Sequence, residues 1–279
     1  MRLDHVSYAV SHNELTDTVQ RLGALLGASF YDGGRHPSFG TSNFVLPLLE
    51  GKYIEVVAAL DHPAADRAPF GQAVRQRAES GGGWLGWVVA CRDISSIEAR
   101  LGREAVAGHR RLPDGFDLRW KQLGVIENIA NPQLPFFIEW ETPEQHHPSQ
   151  LGHSVTLRSI AISGDKHTIA EYLGGPENHP LDDVEVEWID GAEPGVVSVT
   201  FETPIVFALG FLVSFVSIAT LVGRSGGEIE GRKVHTSIDE LPEGIGLAVA
   251  RRFANGRKAV RNRAGHEPDV RRSEEHTSE

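Results

Sequence analysis

The chain has 279 residues, 40% of them apolar and 23% charged, with a formal net charge of −11, ordinary globular material with enough apolar mass for one large domain or two small ones. Residues 1–203 hold 16 Lys/Arg against 28 Asp/Glu, whereas residues 204–279 hold 11 against 10. So acidic a main body argues against nucleic acid or an anionic membrane as partner, and a single cysteine, Cys91, leaves no internal disulfide to form.

The first segment, Leu3 to Val10, alternates as a strand does: His5, Ser7 and Ala9 share one face, and Val6, Tyr8 and Val10 share the other. Asp4 and His5 stand where a secretory leader would be apolar, so the body is expected to be cytoplasmic. Ser11 and Glu14 form a capping box, Leu15, Val19, Leu22 and Leu26 recur at helical spacing, and Gly27 supplies the stop. Extended pieces follow at about Ala28–Tyr31, Asn43–Leu48 and Lys52–Ala59, separated by Gly33-Gly34 and by Gly51. The unit, about residues 1–60, reads βαβββ.

The same order recurs over about residues 82–141. An apolar strand runs from Trp84 to Cys91, and a helix with Ser95 and Glu98 as capping box ends at Gly102. Extended runs follow near Glu104–Arg111 and Phe116–Gln122, and a strand covers Pro135–Glu141. Aligning the copies sets Gly86 opposite His5 and Glu139 opposite Glu55. A shorter third copy, about residues 153–203, offers the strand Thr156–Ser163, a helix from Asp165 to Leu173, and a hairpin of Val184–Ile189 and Val196–Thr203, with Ser159 where the first copy has His5.

Tyr53-Ile54-Glu55-Val56 and Phe137-Ile138-Glu139-Trp140 each carry one carboxylate on a face that alternation makes otherwise apolar. A chain rarely spends charge there unless something binds. The tandem units, the string Gly34-Arg35-His36-Pro37-Ser38-Phe39-Gly40-Thr41-Ser42-Asn43 and the later Pro135-Phe136-Phe137-Ile138-Glu139-Trp140 resemble the glyoxalase-like domain group of the vicinal oxygen chelate superfamily.

The resemblance implies an α+β fold in which tandem βαβββ units form a cupped mixed sheet, completed by a partial third unit. It implies a divalent metal (Zn, Mn, Fe, Co or Ni) held by His5, Glu55 and Glu139, with Gly86 leaving the fourth strand position empty although related metal-dependent isomerases and lyases usually fill it. An imidazole and two carboxylates suit such ions and leave positions open for an oxygen substrate. Glu55 and Glu139 are then the candidate catalytic proton carriers for lyase or isomerase chemistry on an oxygen-bearing metabolite. Arg35, His36, Thr41 and Asn43, in and after a loop, are candidate substrate contacts. The competing function is a metal-free binding module that sequesters a drug or metabolite in the same cup. The sequence leaves open whether the units pair within one chain or across a homodimer. His146, His147 and His153 flank Pro148 in a linker and read as solvated, as does Glu141.

The tail reads differently. Residues 205–222 carry no charge over 18 positions, the lower bound for a membrane span, and predict an additional apolar helix, transmembrane if native. Its basic flank over residues 223–271 would then face outward, against the positive-inside tendency. Arg272-Ser273-Glu274-Glu275-His276-Thr277-Ser278-Glu279 matches one reading frame of a sequencing-library adapter, which makes residues 272–279 an expected artefact and the stretch from 205 a suspected foreign join.

Overall fold

In the computed structural model, which describes residues 1–152, 154–191, 193–206, 214–223 and 229–230, all within the unit Met1–Thr236, the alternating N-terminal segment forms strand β1 (Arg2–Val10). The helical repeat after it forms α1 (Leu15–Leu26), whose backbone turns left-handed at Gly27. Strands β2 (Tyr31–His36), β3 (Thr41–Leu48) and β4 (Lys52–Ala59) complete the first βαβββ copy. Two helices not expected from the sequence, α2 (Pro63–Arg67) and α3 (Pro69–Glu79), lead to the second copy; each opens with proline in its first turn.

That copy comprises β5 (Gly83–Ala90), α4 (Ser95–Leu101), β6 (Val106–Arg111), β7 (Asp117–Leu123), the unexpected short α5 (Val125–Ala130) and β8 (Phe136–Trp140). The eight strands close into one barrel in the order β1-β4-β3-β2-β6-β7-β8-β5, so the two copies pair within a single chain. A closed eight-stranded barrel has an interior just wide enough for side chains to fill.

The seam between the copies on one side is the single pair Arg35↔Arg111. Gly34 lies beside it with φ +93, and a Cβ there would stand 2.0 Å from the Arg111 carbonyl oxygen. Only glycine admits that approach. The Gly33-Gly34 pair therefore does not separate strands, as its composition suggests; it lies inside β2, where the register with β3 shifts between Asp32 and Gly34. This is a bulge that turns the strand toward the seam.

Alternation sorts the side chains. Ala9, Val57, Val88, Trp120, Phe136 and Ile138 pack inside with Phe39 and Phe70. Val6, Tyr8, Ile54, Val56, Trp87 and Phe137 pack outward with α1 and the third copy. Each fully buried large side chain of this kind contributes about 1.5–3 kcal/mol.

The third copy is β9 (Thr156–Ser163), α6 (Lys166–Leu173), β10 (Glu185–Ile189) and β11 (Gly195–Val206). The expected hairpin of its last two strands is not formed. Strand β9 lies between them, parallel to β10 and antiparallel to β11, because a crossover through α6 returns the chain to the far side of β9.

The expected helix over residues 205–222 is also overturned. Residues 205 and 206 end β11, and β12 (Ser214–Gly223) pairs antiparallel with it across nine residue pairs, from Ser198↔Val222 to Val206↔Ser214, with β13 (Ile229–Glu230) at the edge. An uncharged run rich in Val, Phe, Leu and Ile suits a buried strand as well as a membrane helix, and an open edge beside β11 decides for the strand. Among the described residues, no helix is long and apolar enough to cross a membrane. Residues 207–213, the rest of the basic tail and the adapter-like octapeptide lie outside the described residues.

Candidate functional site

The inward faces of β1, β4, β6, β7 and β8 enclose a cavity of about 30 Å³. Its wall carries His5, Tyr53, Glu55, Arg110, Trp120, Gln122, Ile138 and Trp140, with His36, Phe39, Phe70 and Phe136 completing it. Two of the three expected metal ligands meet there. His5 and Glu55, both about 4% exposed, bring Nε2 and Oε2 to 4.0 Å.

Glu55 is held at both oxygens. Oε2 accepts from Ser7 Oγ at 2.6 Å and Oε1 accepts from Asn43 Nδ2 at 2.7 Å. Burial alone would raise its carboxyl, but the imidazoles of His5 and His36 and the bonds from Ser7 and Asn43 outweigh that and hold it below the ordinary value. Asn43 reaches this position because Gly33 has no side chain, since a Cβ there would stand 2.1 Å from Asn43 Oδ1.

His5 is oriented from behind. Its Nδ1 lies 2.8 Å from Asp4 Oδ2, and because an ionised carboxylate only accepts, Nδ1 carries the proton and Nε2 is left toward the cavity. Asp4 also accepts from Trp140 Nε1 at 3.2 Å and lies 3.2 Å from His147 Nε2. Burial works to raise the Asp4 carboxyl, yet its bonds with His147 and His5 prevail and hold it well below the usual carboxylate range. His147, expected to be solvated, is buried, with Ser149 at its other nitrogen. His146 is exposed and stacks on Phe116, Glu141 is exposed beside Lys121, and His153 lies outside the described residues.

The third expected ligand does not reach the site. Phe136, Ile138 and Trp140 are the residues of β8 that face the cavity, so Glu139 is on the outer face. There its Oε2 accepts the Ile94 amide at 2.7 Å at the start of α4. A shift of one residue in the alignment of the copies exchanges the two faces of a strand, and the expected pairing of Glu139 with Glu55 contains that shift. The empty position opposite His5 is not open either, because the Asn128 amide lies 3.1 Å from where a Gly86 Cβ would stand and is tied to the Leu134 carbonyl.

Among the described residues, no three His, Cys, Asp or Glu side chains gather as metal ligands. The cavity wall carries His5, His36 and Glu55, but they do not gather as a ligand set: both Glu55 oxygens already accept hydrogen bonds, His36 Nδ1 is tied to Thr41, and a buried guanidinium shares the space. The residues present do not fit the three-ligand centre expected from the resemblance. Glu139→Ala is therefore expected to lower stability by about 1 kcal/mol through loss of the bond from the Ile94 amide and to leave cavity binding unchanged. A thermal melt and a ligand titration check this; a loss of binding as large as that of Glu55→Gln would return Glu139 to the site.

Of the expected substrate contacts, His36, Thr41 and Asn43 lie on the inner side and Arg35 does not. The His36 ring is in the cavity wall, with Nδ1 2.7 Å from Thr41 Oγ1 and Trp120 edge-on at 5.8 Å. Burial pushes its pKa down to about 4, so the imidazole is neutral at pH 7. Arg35, one residue earlier in β2, is exposed on the outer face.

The profile of the glyoxalase-like domain matches residues 3–174, which contain every cavity residue and the barrel except Arg2. The chain belongs to the glyoxalase-like domain family. Solved structures that this glyoxalase-like protein is similar to include methylmalonyl-CoA epimerase from Mycobacterium tuberculosis, at 15% identity over 51% of this chain and 89% of that one, with a TM-score of 0.35. Others are a hypothetical protein from Bacillus halodurans, at 16% identity over 52% and 96% with a TM-score of 0.35, and methylmalonyl-CoA epimerase from Streptomyces coelicolor in complex with 2-nitronate-propionyl-CoA, at 16% over 50% and 96% with a TM-score of 0.34. No curated protein matches the chain significantly.

Proposed function

We propose that the barrel binds a small oxygen-bearing metabolite and moves a proton on it, in isomerase or lyase fashion, with His5 as the base. The observation that carries this is the array Asp4–His5–Glu55 opening on a small, largely apolar cavity, with His5 Nδ1 2.8 Å from Asp4 and Nε2 4.0 Å from Glu55.

A carbon acid adjacent to a carbonyl, seated against Nε2, gives its proton to the imidazole. Asp4 fixes the tautomer that leaves Nε2 free and steadies the imidazolium that forms. Glu55, kept ionised by Ser7 and Asn43, adds a second negative charge beside that imidazolium, and the same Nε2 returns the proton to a neighbouring atom. A divalent ion in this cavity would meet His5, His36 and Glu55, which do not gather as a ligand set, and no step passes through one.

The test is deuterium exchange in heavy water, followed by NMR over a panel of small 2-oxo acids and hydroxyketones. The expected outcome is exchange into at least one compound, reduced about 100-fold or more by His5→Ala. Exchange that survives His5→Ala overturns the assignment of the base. Binding without exchange anywhere in the panel favours the sequestering module, a reading supported by Glu55 having both oxygens occupied.

A further inference from the structure

Arg110 is a charged group that the proton transfer does not use. It sits on the inner face of β6, 2% exposed, in the cavity wall. Among the described residues no carboxylate forms an ion pair with it, and its Nε has no hydrogen-bond partner. Burial pulls it below the ordinary arginine value, with Tyr53, Glu55 and Asp32 opposing at longer range. A buried guanidinium normally comes with a partner, because desolvating the charge costs several kcal/mol that only a paired anion offsets. Its planar fork matches a carboxylate.

The cavity is too small for a whole metabolite, since about 30 Å³ holds a water or two. Phe39, Phe70 and Gln122 also line a second pocket of about 200 Å³, whose other walls include Pro69, Val106, Val125 and Ile126, with Glu104 and the ion pair Arg103–Glu127 as its charged members. Val106 and Ile126 are 58% and 64% exposed, so this rim presents apolar surface to solvent. On another side, Trp140 separates the cavity from a larger depression ringed by Glu50, Asp93, Glu139, Glu144 and Asp182 against Arg2 and Arg92. Five carboxylates against three cations, the Met1 ammonium included, leave that side net negative and disfavour an anion there. The apolar pocket is the side on which an amphipathic acid fits.

We infer that the ligand is an organic acid with an apolar arm: its carboxylate pairs with Arg110 in the inner cavity, and its arm runs past Phe39, Phe70 and Gln122 into the outer pocket. This deepens the proton-transfer reading by naming the ligand class, and it rests on that reading only for the site, since an acid can bind there whether or not a proton moves.

The test uses the full chain and three probes of one arm length, hexanoate, hexanol and hexylamine, with acetate as the armless acid. Binding is followed by calorimetry and by the fluorescence of Trp120 and Trp140, which line the cavity. Hexanoate is expected to bind at least about tenfold more tightly than each of the other three. Arg110→Gln should remove the preference of hexanoate over hexanol, Arg110→Lys should retain part of it, and Ile126→Glu on the exposed rim should weaken hexanoate while leaving acetate unchanged.

Equal binding of hexanol and hexanoate, or a preference for hexylamine, overturns the anion assignment; a hexanoate affinity that ignores Ile126→Glu overturns the placement of the arm. If Arg110→Gln fails to fold, Arg110→Lys and Ile126→Glu decide the question. Failure of deuterium exchange with hexanoate binding intact removes the proton-transfer reading and leaves the acid site standing, whereas the reverse result removes the acid site alone.

Discussion

Asp4→Ala is expected to destabilise the protein by about 3–5 kcal/mol, a large share of the total stability of a domain. Asp4 is fully buried and bonds His5, His147, Trp140 and Arg2, the last at 3.4 Å. Removing it leaves two imidazoles and an indole N–H without the acceptor that offsets their burial. Thermal or urea unfolding measures the loss, and a change below about 1 kcal/mol would mean that water replaces the carboxylate at little cost.

Asp4 and His36 set how the fold responds to acid, in two windows. The Asp4 carboxyl is held below its ordinary value, so the stability it contributes is fully present above about pH 4 and is lost as pH falls through the lower folded value. His36 acts earlier. It is depressed to about 4 from 6.5, so between those values the unfolded chain takes up a proton that the folded one refuses, and stability falls as pH drops through that window. Asp4→Asn should therefore flatten the stability curve below pH 4, and His36→Gln should flatten it between about pH 6.5 and 4. An Asp4→Asn curve that still falls below pH 4 as the parent does would assign that limb to other carboxylates, Glu55 first among them.

The sequence made the strands legible, because period-two alternation is local, and it put His5, Ser7 and Glu55 on the correct faces. It could not place Glu139. The face of β8 depends on register, and a displacement of one residue between the copies exchanges Ile138 for Glu139 without disturbing the hydrophobic pattern. His147 and Asp4 were hidden for another reason: they are 143 positions apart, and nothing local marks a linker histidine as the partner of a strand carboxylate. Arg110 had a signal that could have been used, since alternation from Gly108 puts it on the same face of its strand. An arginine there asks for a partner, as the glutamates did. The tail was misread because an uncharged apolar run fits a membrane helix and a buried strand equally, and only the free edge of β11 separates them.

Ending the chain after Thr203 is expected to damage the fold severely. Six residues of β11, Ser198 to Thr203, would lose their partners Val222 to Ser217, turning an inner strand into an edge. About half a dozen ladder hydrogen bonds would go, roughly 3–9 kcal/mol at their usual net contribution. Strand β11 is no peripheral element: Val199 and Phe201 are fully buried in the same core as Leu157, Ile160 and Ile162 of β9, and that core continues into Val6, Ile54 and Trp87 on the outer wall of the barrel. Loosening β11 therefore loosens the surface that supports β1 and β4, the strands that carry His5 and Glu55. An exposed, apolar edge of that length also invites pairing with a second copy. Size-exclusion chromatography and thermal unfolding of residues 1–203 beside the full chain test this. The expected result is aggregation or a much lower melting temperature, and a monomer that melts with the full chain would show that the residues after Thr203 add nothing to the fold.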